Sequence, residues 1–328
     1  MRTNLIPLLF VSCTLLVACQ KETNLPDNAS ATLTETAATT ETSSKPFTVR
    51  TIAGIFENGN SEPHLVNGPA LKAKFWKPHG ITVAGDGSIY VADFLNSAIR
   101  KITIGSNVYT APLSYNPDTG GGLLPEAVGV GADGTLYIVS TGYGIRIYNK
   151  DKGIDVYNRI SNSDSNLDIE RDVRGTMWFV SDNSIGKITG TTIQRKVISL
   201  TSYLDANETL RGIGLGPNST IYASSATKLF QITGNGKITR LYPNERFIFI
   251  SGITVTKDGR TLYIADGNAI KKINNNSITM IAKPGAGDGR DGVGFEADVV
   301  AANLALANSE KYLFVTDTRN LIRKISLD

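Results

Sequence analysis

The chain has 328 residues, 41% of them hydrophobic, and a formal net charge of +3. A charge that small, with no Lys/Arg cluster beyond pairs such as Lys271-Lys272 and Arg323-Lys324, excludes nucleic-acid binding as the main activity. The two cysteines, Cys13 and Cys19, both fall in the first 19 residues, which excludes a disulfide from everything after them.

Residues 1–19, MRTNLIPLLFVSCTLLVAC, begin with the positive Arg2 and continue as an apolar run from Leu5 to Ala18. That run is too short for a spanning helix and reads as a secretory signal. Residues 20–46 are rich in Thr, Ser, Ala and Glu and nearly empty of large apolar side chains. Such a stretch cannot offset its ordering entropy, so a disordered tether is expected, roughly 25–30 Å r.m.s. in span.

From residue 47 onward the chain repeats. Anchoring on the aromatic of a short β-run finds IYVAD at Tyr90, LYIVS at Tyr137, MWFVS at Trp178, IYASS at Tyr222, LYIAD at Tyr263 and LFVTD at Phe314. The anchors stand 47, 41, 44, 41 and 51 residues apart. Turn signals precede most of them (GDG 85–87, ADG 132–134, VRG 173–175, PNS 217–219, KDG 257–259), and a further β-run follows each, as in AIRKI, SIGKI and LIRKI. A weaker fourth run sits between units, as in SNVYTA and NSITMIA. Four strands at a period near 45 mark a β-propeller blade. The last copy ends at its third strand, while FTVRTIAG at 47–54 has no blade of its own. An all-β, six-bladed propeller of four-stranded antiparallel blades is therefore predicted over 47–328, its last blade closed by the N-terminal strand.

These residues resemble the NHL-repeat propellers, whose units read roughly Pro-x-Gly-Ile-x-Val, turn, Tyr-Val-Ala-Asp, Asn, Ile-Arg-Lys-Ile. PHGITVAGDGSIYVADFLNSAIRKI (78–102) matches almost throughout. NGPALKAKF (67–75) and DGVGFEADV (291–299) both look like that family's inter-blade segment. Copies three and four depart most: LDIERDVRG replaces Gly-Ile-x-Val, and Ser225 stands where copy one has Asp93. The resemblance implies the fold and leaves the activity open, since propellers host many unrelated activities. At the other end, Leu16-Val17-Ala18-Cys19 looks like the lipobox of bacterial lipoproteins, which implies lipid on Cys19 after removal of residues 1–18. Gln20-Lys21-Glu22 resembles an export tag of some Gram-negative bacteria and equally suits a plain polar start to the tether.

In a propeller, the start of each innermost strand turns a side chain toward the mouth of the central channel. Counting back from the anchors gives His79, Glu126, Leu167, Arg211, Ser251 and Ala302 or Asn303. His79 with Glu126 is the pair that suits acid–base work, and Arg211 suits an anionic ligand. Glu170 and Asp172 lie near the irregular third copy. Trp76, flanked by Lys74 and Lys77, is a candidate for ligand stacking, although Phe75, Trp76 and Trp178 also read as wedges between blades. Asp93, Asp266 and Asp317 end middle strands and are assigned to structure, accepting from nearby backbone N–H groups. The basic pairs of the third strands read as simple alternation. Gly120-Gly121-Gly122 lacks the partners of a phosphate loop, and 285–294 reads as an inter-blade loop with a calcium-like composition. The NHL-type amidating lyases hold zinc with several histidines; this chain has only His64 and His79. Gluconolactonase-type propellers hold calcium with Glu, Asn and Asp, of which the ring supplies Glu126. No metal and no cofactor are expected.

The preferred reading is an outer-membrane lipoprotein of a Gram-negative cell envelope, periplasmic or surface-exposed and monomeric. Its propeller is a recognition scaffold for a protein or carbohydrate partner on the loop face. The candidate contacts are His79, Glu126, Arg211, Ser251 and Trp76. The alternative is a lactonase-like hydrolase or lyase at the channel mouth that uses Glu126 and His79.

Overall fold

The computed structural model describes residues 45–56, 65–113, 123–140, 144–158 and 166–328. The expected signal, Cys19 and most of the expected tether, His64 and the 120–122 glycines lie outside the described residues. Val, Ile and Tyr runs broken by Gly/Asp turns give short antiparallel strands, as expected for half-buried pleated surfaces. They assemble into six sheets of four strands, successive in sequence in five of them, and two sheets gain a two-residue edge strand. The first strands, Pro78–Val83, Pro125–Val130, Asn166–Arg171, Gly212–Leu215, Ile250–Val255 and Ala301–Leu306, touch one another in a closed ring. This is a six-bladed propeller, with these strands around its axis.

Each blade buries both faces against its neighbours, so the core is divided. The described residues form six hydrophobic clusters, one per blade interface. The cluster between blades six and one, for instance, joins Ala53 and Ile322 to Ile81 and Val91, with Phe75 driven in as a wedge.

Closure follows the predicted route. Thr48–Gly54 pairs antiparallel with Leu321–Ser326, with Val49 opposite Ile325 and Gly54 opposite Leu321. The two ends are also tied by Phe47 N–H to the Ser326 carbonyl at 2.7 Å.

The inter-blade segments agree bond for bond. Gly68–Pro69 adds to the outer strand of blade one and Gly292–Val293 to that of blade six, each followed by a three-residue 3-10 turn. Arg100, fully buried, donates to the Val66 and Lys74 carbonyls and to Asn67 Oδ1. Arg323, equally buried, donates to the Arg290 and Asp298 carbonyls and to Asp291 Oδ1.

That finding corrects the alternation reading of the basic pairs. Arg323 is ion-paired to Asp317 at 3.2 Å, and Lys271 to Asp266 at 2.7 Å. Lys324 beside the buried Arg323 is partly exposed, as are both Lys271 and Lys272. The repeated aspartates do accept backbone N–H groups, Asp93 from Trp76 at 2.7 Å and Asp266 from Ile248 and Phe249 at 2.8 and 2.7 Å. They also neutralise a basic side chain of the next strand, which the strand-end position alone did not reveal. Blade four, with Ser225, moves the carboxylate elsewhere: Lys228 pairs with Glu208 at 2.7 Å, and Glu208 accepts from the Ser225 hydroxyl.

Candidate functional site

The innermost strands shift register near their second residue in five blades, at Pro78/Ile81, Pro125/Ala127, Asn166/Asp168, Ile250/Gly252 and Ala301/Asn303. A bulge of this kind re-aims one side chain and bends the strand. It falls on the positions counted from the anchors. His79, Glu126, Arg211, Ser251, Ala302 and Asn303 all line one cavity of about 210 Å³ at the mouth. Phe249, Asn268, Ala301 and Thr318 complete its wall. The side chain of Leu167 lies outside the described residues, and Trp76 does not line the cavity.

His79 is held from three directions. Its Nδ1 lies 2.7 Å from Glu126 Oε2, its ring stacks on Phe94 at 4.4 Å and 7°, and its carbonyl accepts the Thr316 hydroxyl at 2.6 Å. Gly80 makes that approach possible. A Cβ there would meet Ala127 Cα at 2.6 Å and the Glu126 carbonyl oxygen at 2.7 Å. Gly80→Ala is therefore expected to destabilise the propeller by about 1–3 kcal/mol and to part His79 from Glu126. Urea unfolding and the His79 ring NMR signals check the two halves.

Arg211 leans over the Phe249 ring, 4.2 Å from its centroid. Burial pulls its pKa down, against the charge of Glu126. Its Nε is buried with no hydrogen-bond partner.

Asn303 also borders a second cavity of about 590 Å³ further along the channel, walled by Ile81, Val130, Ile253 and Leu304. Asp168 and Glu170 of blade three enter it. Asp168 accepts the Ile169 and Ile213 N–H groups, both at 3.0 Å. Burial nevertheless pushes its carboxyl up to about 7, with those N–H groups and the Asn303 amide pulling back. Glu170 is pushed well above the usual carboxylate range by burial, and the charge of Asp168 adds to that. Asp172 is different. It caps its own turn and accepts Trp178 Nε1 at 3.0 Å. Because the folded pKa of Asp168 lies above its unfolded value, its contribution is fully present below about pH 4. It is lost as pH rises toward 7, by up to about 1.4 kcal/mol per unit. Thermal melts at pH 5 and pH 8 should show this fall, and Asp168→Asn should flatten it.

The counting rule missed Asp168, whose only signal was the charged LDIER replacing a Gly-Ile-x-Val strand. It also missed Phe94, Phe249, Asn268 and Thr318, which arrive from connecting loops. The Asp298 carboxylate, which faces the 285–294 loop, is already used by Gly285 N–H, Gly289 N–H and Arg319. Among the described residues no cluster of three or more His, Cys, Asp or Glu is placed to hold a metal ion.

Comparison with known proteins starts from the first blade: the NHL repeat family model matches residues 75–102. No curated protein matches the chain. Among solved structures it is similar to an auxiliary nutrient binding protein from Bacteroides thetaiotaomicron, at 14% identity and a TM-score of 0.68, covering 86% of this chain and 77% of that one. It is also similar to the virginiamycin B lyase from Staphylococcus aureus, at 19% identity and a TM-score of 0.55, covering 77% and 95%. A gluconolactonase from Xanthomonas campestris gives 14% identity and a TM-score of 0.56, covering 78% and 87%. At these identities the likeness is one of fold, and the fold serves proteins of different kinds. With six blades of this register and an NHL repeat matched over residues 75–102, the chain is a six-bladed β-propeller whose first blade carries an NHL repeat.

Proposed function

We propose that this protein is a binding module of the cell envelope, tethered by lipid on Cys19, that takes a protein or glycan partner on the loop face around the channel mouth. One observation carries the reading. Five blades send polar side chains into a single preformed hollow whose wall includes the exposed Phe249, and Ile248, next to it in the chain, is exposed too. A concave site with a few convergent polar groups beside exposed apolar side chains is what ligand recognition requires. The binding protein among its structural neighbours supports the same reading. A glycan array and affinity capture with the purified protein test it. Binding should be lost in Phe249→Ala and unchanged in Trp76→Ala, because Trp76 stands outside the cavity. Capture that ignores Phe249→Ala would move the site elsewhere. The anchor has its own test: Cys19→Ser should leave the protein in the soluble fraction, and sedimentation with membranes would refute the lipid.

A second reading has one observation in its favour, the 2.7 Å contact of His79 with Glu126. A carboxylate on one ring nitrogen fixes the other for proton transfer. Turnover of a lactone panel by the wild type and its loss in Glu126→Gln would establish it. No turnover by the wild type removes it.

A further inference from the structure

We infer that the mouth cavity is a receptor for one small, hydroxylated, singly charged carboxylate, gripped by Arg211. The inference rests on the reading that the mouth is the binding site, and it names what is bound there.

Arg211 differs from the ion-paired cations at the third strands. Arg100, Lys228, Lys271 and Arg323 are each neutralised by a carboxylate at 2.7–3.2 Å. Arg211 has no such ion pair among the described residues, and its Nε is buried without a partner. Glu126, the carboxylate whose charge it feels, has Oε2 engaged with His79 Nδ1. A half-buried guanidinium with no hydrogen-bonded carboxylate is costly, and a ligand that supplies one gains that cost back as affinity. The planar fork fits a carboxylate with two parallel N–H···O bonds.

The rest of the wall narrows the class. Glu126 stands in the same hollow, so a dianion such as phosphate meets more repulsion than a monoanion does. The volume of about 210 Å³ is that of roughly seven waters, enough for a single sugar-sized ring or a short chain. Ser251, Asn268 and Thr318 offer both donors and acceptors around it, as hydroxyl groups demand. The Ser251 hydroxyl makes no hydrogen bond to any described residue.

Calorimetric titration of the full-length protein with four probes tests this. D-glucuronate should bind, while its methyl ester, D-glucose and inorganic phosphate should each bind at least about tenfold more weakly. Arg211→Gln should weaken glucuronate by at least about tenfold without lowering the melting temperature, since it removes an uncompensated cation. If that variant fails to fold, Ser251→Ala carries the test, with a loss of a few fold. Equal binding of acid and ester, wild-type affinity in Arg211→Gln, or no response to glucuronate would each overturn the inference. Where glucuronate fails but a glycan or protein is still captured through Phe249, only this inference falls. Where nothing binds, the recognition reading falls with it.

Discussion

Deletion of residues 45–54 is expected to abolish the cooperative unfolding transition. This segment is the fourth strand of blade six, and its two faces serve two different cores. Val49 belongs to the cluster between blades five and six, and Ala53 to the one between blades six and one; both are fully buried. Removing it opens both interfaces and leaves Leu321–Ser326 as a bare edge, ready to pair with another chain. Size-exclusion chromatography should show aggregates, and calorimetry should show no sharp transition. The loss is one of connectivity and not of the N-terminus as such. In the other five blades, whose outer two strands are joined by a short turn in sequence, such as Ala269–Asn274 with Ser277–Ala282, the same pairing is an ordinary hairpin. A circular permutant that starts at residue 55 and carries 45–54 after Asp328 should therefore recover the transition. A truncated protein that melts like the whole chain would show that the ring does not depend on this strand.

Asp93→Ala is the second large effect, at about 3–5 kcal/mol of lost stability. Asp93 and Arg100 are both fully buried, 2.7 Å apart. Asp93 also accepts from Trp76 N–H and Asn96 Nδ2. Burial pushes the Asp93 carboxyl upward, against the pull of Asn96, Trp76 and Arg100. Desolvation thus outweighs the partners, and the pair is a weak source of net stability. Its rupture is a different matter, because the alanine leaves a guanidinium buried with carbonyl acceptors and no counter-charge. The double variant Asp93→Leu/Arg100→Met should accordingly be milder than the single one, although it loses the bonds to Val66, Asn67 and Lys74. Urea titration of the three proteins gives the comparison. A double variant no better than Asp93→Ala would mean that stitching the inter-blade segment matters more than the charge.

The site was legible to the extent that it repeats. A fixed offset from an aromatic anchor found His79, Glu126 and Arg211 and, with one inserted residue, Ser251, because each of these blades starts its innermost strand the same way. Where a blade breaks the pattern the offset loses its meaning. Asp168 replaces a residue that is Gly or Ala in four other blades, and only the narrowness of the channel makes it a buried acid near Asn303 of another blade. Phe94 and Phe249 belong to loops of unequal length. Their contacts with His79 and Arg211 come from how far those loops reach over the mouth.

Sequence alone determined the number of blades, their strand order and the closing strand, because strand alternation, turns and a period near 45 are local and repeated six times. The buried partners of Arg100 and Arg323 needed the tertiary structure, since a basic residue in an alternating strand looks the same whether water or an aspartate faces it. So did the half-buried Arg211, which has no ion pair among the described residues. The balance of charge at Arg211 depends on which side chains from other blades come within a few ångströms, and ring closure sets that distance.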